Sequence, residues 1–320
     1  MSWVTDLKSP PPKIEVHALS AGHFSLPEEQ FVHPAVKGAR RQVPSLSFLL
    51  QHNNPQNGGI TRILFDLGLR RDVERYADPI RRHVETRQPM KTLPDVVKSL
   101  EMGGLTPRDI DYVMYSHVHW DHVGEPRDFS NSTFVVGHGS LELLTEENSL
   151  RGGHSFFESD LLDPSRTIGL SNPRCVEQHG NMSLSSSALS SKADFSRPWT
   201  SLQGLPSVLD LFGDGSLYIV DAPGHLPGHI NLLANTDTGW LYLAGDTCHD
   251  RRIIRGEKEI GEWLDIHGQV CCIHADRAKA EQTIERVRDL ERQGVEVILA
   301  HDVEWENDPK NRSRFFGASG

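Results

Sequence analysis

Ser116-His117-Val118-His119-Trp120-Asp121-His122-Val123-Gly124 follows directly on the apolar run Asp111-Tyr112-Val113-Met114-Tyr115. Three histidines and one aspartate fall within six residues of it. His117 and His119 are two apart, a spacing that on extended backbone sends both rings to one side. Asp121 and His122 come where the chain turns toward Gly124, so they can face a neighbouring point. One small ion cannot easily take all four side chains from so short a loop, whereas two ions about 3.5–4 Å apart can. More ligands must then come from elsewhere. His225 in DAPGHLPGH, Asp246 in LAGD and His301 in LAHD each close an apolar strand pattern with a polar residue. Imidazole and carboxylate donors suit zinc, and also manganese, iron or cobalt.

Outward from this loop the pattern alternates between strands and helices. IEVHALSA (14–21), PSLSFLLQ (44–51), ITRILFDLG (60–68) and STFVVG (132–137) read as strands, rich in β-branched and large apolar residues. Residues 71–100 read as helical. Thr106 caps a helix with Pro107 at its first position, and SLELLTEE is a short helix. GSLYIVDAPGH, HINLLAN and WLYLAGD are three further strands at short spacing. ADRAKAEQTIERVRDLERQG is the clearest helix, with Ala280, Ile284, Val287 and Leu290 on one face and Gly294 at its end. VEVILAHD is the last strand. Residues 1–13, with SPPPK, read as a loose tail, and 14–320 as a single domain. Within it 150–205 is a long insertion, too long for a plain connection, that walls the substrate pocket with Phe156 and Phe157 or else is merely solvated.

The 320 residues carry a net charge of −11, which lacks the basic footprint of a nucleic-acid binder and disfavours anionic membranes. No apolar run approaches the roughly 20 residues of a membrane helix. The N-terminus has no hydrophobic signal core, and four cysteines are too few for a disulfide framework, so a reducing, cytoplasmic setting is expected. The expected partner is a small-molecule substrate, not nucleic acid or membrane, with a homodimer left open.

HVHWDH resembles the HxHxDH signature of the metallo-β-lactamase superfamily, and the later PGH, GD and AHD elements follow in that family's order. The resemblance covers roughly residues 14–305. It implies an α/β fold, the αββα sandwich, with two mixed β-sheets, helices on the outer faces and two divalent ions at one edge. Carried over by position, one ion takes His117, His119 and His225, the other takes Asp121, His122 and His301, and Asp246 bridges them. His225 is chosen over His229, which is read as hydrogen-bonding or packing behind the site. FDLGLRRD, MGGLTPRDIDYVMYSHVHWDHVGE and LFGDGSLYIVDAPGHLPGH look like the N-acyl homoserine lactonase-like branch. Many members of that branch carry tyrosine three residues after the bridging aspartate, where His249 stands here.

The resemblance implies a dinuclear hydrolase in which metal-activated hydroxide attacks the carbonyl of a cyclic ester, or of a related cyclic amide or carbamate. Asp121 orients that hydroxide and His249 faces the substrate. An imidazole can protonate a leaving nitrogen, since its unperturbed pKa lies near about 6.5 against about 10 for a phenol. No GxSxG nucleophile elbow occurs. A thioesterase acting on an acyl carrier or CoA thioester, with Arg40-Arg41 and Arg251-Arg252 as its only docking hints, and a non-hydrolytic metal or redox member are the alternatives. Trp120 and Cys248 are read as packing residues. His23 and His33 are candidates for the mouth of the site. His52, His83, His138, His154, His179, His267 and His274 have no context beyond exposure or local hydrogen bonds.

Overall fold

The computed structural model describes residues 11–54, 58–145, 150, 156–174, 193–265 and 267–318. One six-stranded sheet is formed by β1 (Ile14–Pro27), β3 (Arg40–Asn53), β4 (Ile60–Phe65), β5 (Tyr112–Met114), β6 (Thr133–Val136) and β7 (Thr167–Gly169), in that order. The other runs β16 (Glu296–Ile298), β12 (Gly239–Leu243), β11 (Ile230–Thr236), β10 (Leu217–Asp221), β9 (Leu205–Asp210) and β8 (Thr200–Leu202). Both are mixed: β4, β5, β6 and β7 pair in parallel, as do β12 and β16, and the remaining pairs are antiparallel. Two short ribbons, β2 (Val32–His33) with β13 (Glu259–Ile260) and β14 (Glu262–Leu264) with β15 (Val270–Cys272), lie outside the sheets.

Strand alternation explains the layering. Phe48, Leu50, Ile63 and Phe65 of the first sheet pack against Leu217, Ile219, Leu232, Leu241 and Leu243 of the second. The residues between them point the opposite way. Leu49, Leu64 and Val113 face Val96 and Leu100 of helix α2 (Val96–Met102). Tyr218, Val220, Leu233 and Tyr242 face Ala280, Ile284, Val287 and Leu290 of α6 (Arg277–Arg292). The result is the αββα sandwich that the resemblance implies. Helix α6 also ends as read, with Gln293 at the cap and Gly294 beyond it at φ +88°.

Several local expectations are corrected. Residues 71–100 hold two short helices, α1 (Asp78–Glu85) and α2, joined by irregular chain. Pro89 and Pro94 explain the break, because each lacks an N–H and biases its predecessor away from helix. Pro107–Asp109 is a single 3₁₀ turn, although Thr106 and Asp109 do form the reciprocal cap. Among the described residues the helix in SLELLTEE is α4 (Ser140–Leu143), and a further short helix, α5 (Arg251–Ile254), follows β12. The 150–205 segment is more than a surface excursion: β7 extends the first sheet, β8 ends the second, and Leu161, Leu162, Leu170 and Trp199 are buried. Residues 1–10 of the tail, the Ser-rich stretch, His154, Cys175 and His179 lie outside the described residues.

The described part of that segment is pinned by a buried ion pair. Arg70 is 2 % exposed and donates from Nη1 and Nη2 to the two carboxylate oxygens of Glu158 at 3.0 and 2.9 Å. Glu158 also accepts from the Ala77 N–H. Removing one partner strands a buried charge, so Glu158→Ala should cost about 3 kcal/mol in denaturant unfolding. A loss under about 1 kcal/mol would show that this anchor carries no weight.

Candidate metal centre

Every sequence-predicted ligand lies just past the C-terminal end of a strand, and those ends meet at one edge of the sandwich. His117, His119, Asp121 and His122 follow β5, and the last two fall on helix α3 (Trp120–Val123). His225 follows β10, Asp246 follows β12 and His301 follows β16. Backbone hydrogen bonds tie the two sheets together there. Ile230 N–H donates to Ser116 O at 2.8 Å, and Leu46 N–H donates to Ala300 O at 2.9 Å.

Three imidazole nitrogens converge on one point. His117 Nε2 lies 2.9 Å from His119 Nδ1 and 3.2 Å from His225 Nε2, and the last two are 3.0 Å apart. Asp246 Oδ2 closes the group, 3.6 Å from His117 and 3.4 Å from His225. A tetrahedral ion with ligands at about 2.0–2.1 Å requires ligand separations of roughly 3.3 Å, close to those found. On the other side Asp121, His122 and His301 form a second group. His301 Nε2 is 3.5 Å from Asp121 Oδ2 and 3.3 Å from Asp246 Oδ1, and His122 Nε2 is 3.3 Å from Asp246 Oδ2. His122 Nε2, His301 Nε2 and Asp246 Oδ1 are buried with no hydrogen-bond partner. Unpaired buried polar atoms are costly, and divalent cations would satisfy these. The two groups could hold two ions, with Asp246 reaching both.

The ring nitrogens on the far sides are held. His122 Nδ1 donates to Asp66 Oδ2 at 2.8 Å, and His301 Nδ1 donates to Pro44 O at 2.8 Å. His117 Nδ1 lies 3.0 Å from Ser116 Oγ, and His225 Nδ1 lies 3.3 Å from His274 Nδ1. Such outer contacts aim the inner nitrogen and select its tautomer. Asp66 also accepts from Ser116 N–H and Oγ–H, both at 2.7 Å, and adopts φ 64°. His229 sits behind the site as read. Its Nδ1 donates to Ala222 O at 2.9 Å, and its Nε2 accepts the Asp246 N–H at 3.1 Å. Gly245, at φ +46°, leaves room for that contact, because a Cβ there would lie 2.9 Å from His229 Nε2.

Charge follows geometry. Burial, then neighbouring imidazoles, hold His117 and His225 well below the ordinary histidine range, and burial takes His229 down to about 4. Burial opposes charge on His122 and on Asp246 too, but their mutual attraction wins. His122 is raised, and Asp246 is lowered with help from His301 and His249.

His249 faces the cleft, with Nε2 3.0 Å from Asp246 Oδ2 and its ring tilted on Phe31 at 5.0 Å. The cleft holds about 40 Å³ of water-accessible space between Asp121, His119 and His249 on one side and Phe24, Phe31 and Trp263 on the other. Trp120 is buried against Phe24 and Tyr76 but also borders the cleft. Cys248 is a packed thiol, pushed up to about 12 by burial. Phe157 stacks on His119 at 5.9 Å and Phe156 lies tilted against His83 at 4.3 Å, so the insertion does reach the site.

His23 and His33 do not line the cleft: His23 pairs with Glu306 at 2.8 Å, and His33 is exposed in β2. His274, read as having no special context, is buried in a group with His225 and His249. Asp66, Gln30, Arg87 and His83 were missed. Asp66 carries the signal used for Asp246, a polar residue closing an apolar strand. The other three lie in loops and short helices without such a pattern.

Two outcomes follow from this geometry. Asp66→Asn should weaken zinc binding about 10- to 100-fold in a chelator competition, while His23→Gln leaves it unchanged. His83 is held down to about 3 by burial and Arg87. Its folded value lies below the unfolded one, so its contribution is intact above about pH 6.5 and is lost as pH falls toward 3. The stability gap between the wild type and His83→Phe should therefore shift by about 1 kcal/mol between pH 7 and 5.5, in favour of the variant.

Several known proteins are similar to this chain. The cytochrome P450 monooxygenase mpaDE of Penicillium brevicompactum is 27% identical over 313 residues, covering 91% of this chain and 33% of that protein. The gamma-lactamase FDB1 of Fusarium pseudograminearum is 26% identical over 262 residues, covering 77% of this chain and 58% of its own. The chain thus spans about a third to somewhat over half the length of these relatives. An N-acyl homoserine lactone hydrolase, solved with N-hexanoyl-L-homoserine at its catalytic metal centre, superposes with TM-score 0.62 at 17% identity, over 93% of this chain and 96% of that one. The model of the metallo-beta-lactamase superfamily matches residues 41–300, from the middle strands of the first sheet to the residue before His301. That span takes in both sheets except β1, and six of the seven converging side chains, and the chain belongs to the metallo-β-lactamase superfamily.

Proposed function

We propose that this protein is a metal-dependent hydrolase that opens a lactone or a γ-lactam-like cyclic amide or carbamate. The observation that carries the reading is the convergence of His117, His119, His225, Asp121, His122 and His301 around Asp246, with His119, Asp121 and Asp246 opening onto one cleft. When bound there, two divalent ions, zinc first among them, supply a nucleophilic hydroxide at neutral pH and polarise the scissile carbonyl. Similarity to a gamma-lactamase supports a cyclic amide, and the motif order of the lactonase-like branch supports a cyclic ester.

The chain's own residues then have separate tasks. Asp121, 8 % exposed in the cleft wall, accepts the proton of the incoming water and orients it. Asp66 and Pro44 hold the rings of His122 and His301 at the angle the reaction needs. Phe24, Phe31, Trp120 and Trp263 exclude bulk water. His249 faces the same space and passes the proton that Asp121 took from water on to the leaving atom. An amide nitrogen leaves poorly without that proton, whereas an alkoxide needs it less. The thioesterase alternative has little to stand on. Arg41 pairs with Asp250, Arg251 with Asp302 and Glu291, and Arg252 with Glu28 and Asp250. Three of the four arginines are thus engaged in ion pairs, which disfavours a free docking patch there.

The reading is tested by assaying zinc- and manganese-loaded protein on a panel of lactones, γ-lactams and thioesters. Turnover confined to thioesters, or none, would overturn it. His249→Ala should slow a γ-lactam or cyclic carbamate about 100-fold, and His249→Tyr should restore a lactone but not the nitrogen substrate. Equal effects on both substrates would remove the leaving-group role.

A further inference from the structure

The cleft wall carries a buried cation that ring opening does not use. Arg87 is 8 % exposed and borders the same cleft as His119, Asp121, Asp246 and His249. Its polar partners are neutral. Nη1 and Nη2 both donate to Gln30 Oε1, at 3.3 and 3.4 Å, and Nε donates to His83 Nε2 at 3.3 Å. Among the described residues no carboxylate pairs with it within 4.0 Å. Arg70, likewise deeply buried, is clamped by Glu158. Burial pulls the Arg87 guanidinium down to about 10, with Asp121 opposing from a distance.

A buried cation without a counter-ion is costly, and one amide oxygen at long range is a poor match for a two-pronged donor. A carboxylate offers two oxygens at the spacing of the guanidinium fork and forms shorter, charge-assisted bonds. The cleft that Arg87 borders is also lined by Phe24, Phe31, Trp120 and Trp263, apolar rings against which an aromatic ring can pack. We propose that Arg87, with Gln30 beside it, is a subsite for a carboxylate carried by the substrate, so that the preferred substrate is an aromatic lactone or lactam bearing a free acid group. This rests on the hydrolytic reading for the reaction, but not for the binding.

The test has two arms. The first compares kcat/KM for an aromatic γ-lactone bearing a free carboxyl group with that for its methyl ester. The wild type should prefer the acid by about 10- to 100-fold, and Arg87→Met should bring the ratio near one, with Arg87→Lys in between. Ring opening makes the same new carboxylate from both substrates. Equal effects of Arg87→Met on acid and ester would therefore show that Arg87 serves only the product, and would overturn the proposal. The second arm needs no turnover: benzoate and benzyl alcohol are titrated into the metal-loaded protein, read by tryptophan fluorescence. Arg87→Met should weaken benzoate about 10-fold or more and leave benzyl alcohol unchanged. Gln30→Glu keeps the arginine, gives it an internal carboxylate and should weaken benzoate to the same degree, which covers the case of a poorly folded Arg87→Met. Benzoate binding insensitive to both variants overturns the subsite. Sensitive benzoate binding without turnover of any lactone or lactam keeps the subsite and overturns the hydrolytic reading.

Discussion

A single carboxylate, Asp246, is buried to 1 % exposure with five imidazole rings within 3.0–3.6 Å of its oxygens. An isolated carboxylate in such a place would be prohibitively costly, so the surroundings must supply positive charge. His122 and His301 do so here by being raised above the ordinary histidine range, against the pull of burial. Divalent ions would do it more completely. Either way the strand ends after β5, β10, β12 and β16 must be brought to one edge, because no two of them neighbour each other in sequence. The packing of the two sheets is what the carboxylate depends on, and the inter-sheet hydrogen bonds at Ser116 and Ala300 lie beside it.

The layer behind the rings is as specified as the rings themselves. Asp66 binds His122 and Ser116 at once, and does so from a left-handed backbone conformation that a non-glycine residue rarely adopts. His229 reads two backbone groups in a fixed order, donating to Ala222 O and accepting the Asp246 N–H. That order leaves only one tautomer, so a neutral ring acts as a rigid spacer between β10 and the loop after β12.

The side chains around the ligand cluster come from other elements than the strand ends. Gln30 lies in the turn after β1, Arg87 just beyond α1, Trp263 on the β14–β15 ribbon, and Phe156 and Phe157 in the insertion that Arg70 and Glu158 anchor. None of these contributes to the buried layer between the sheets. Loops of this kind, standing outside the sheet core, are how one fold can serve many substrates.

The strands were legible because their alternation is strong and their ends are marked, and His117 to His122, His225, Asp246 and His301 were legible because each closes such a strand. Helix α6 was legible for the same reason at a different period. Residues 71–100 misled, since apolar residues at helical spacing outvoted three prolines. His274 and Arg87 had no local signal at all. A histidine's or arginine's role depends on what stands opposite it, and here the opposite residue is 49 positions away for His274 and 57 for Arg87. Periodicity and strand-end chemistry are short-range properties, and they determined the fold class and the candidate ligands. Only the folding of distant loops onto one cleft decided which buried charge lacks a partner, because that is a property of three-dimensional neighbours and of the dielectric they create.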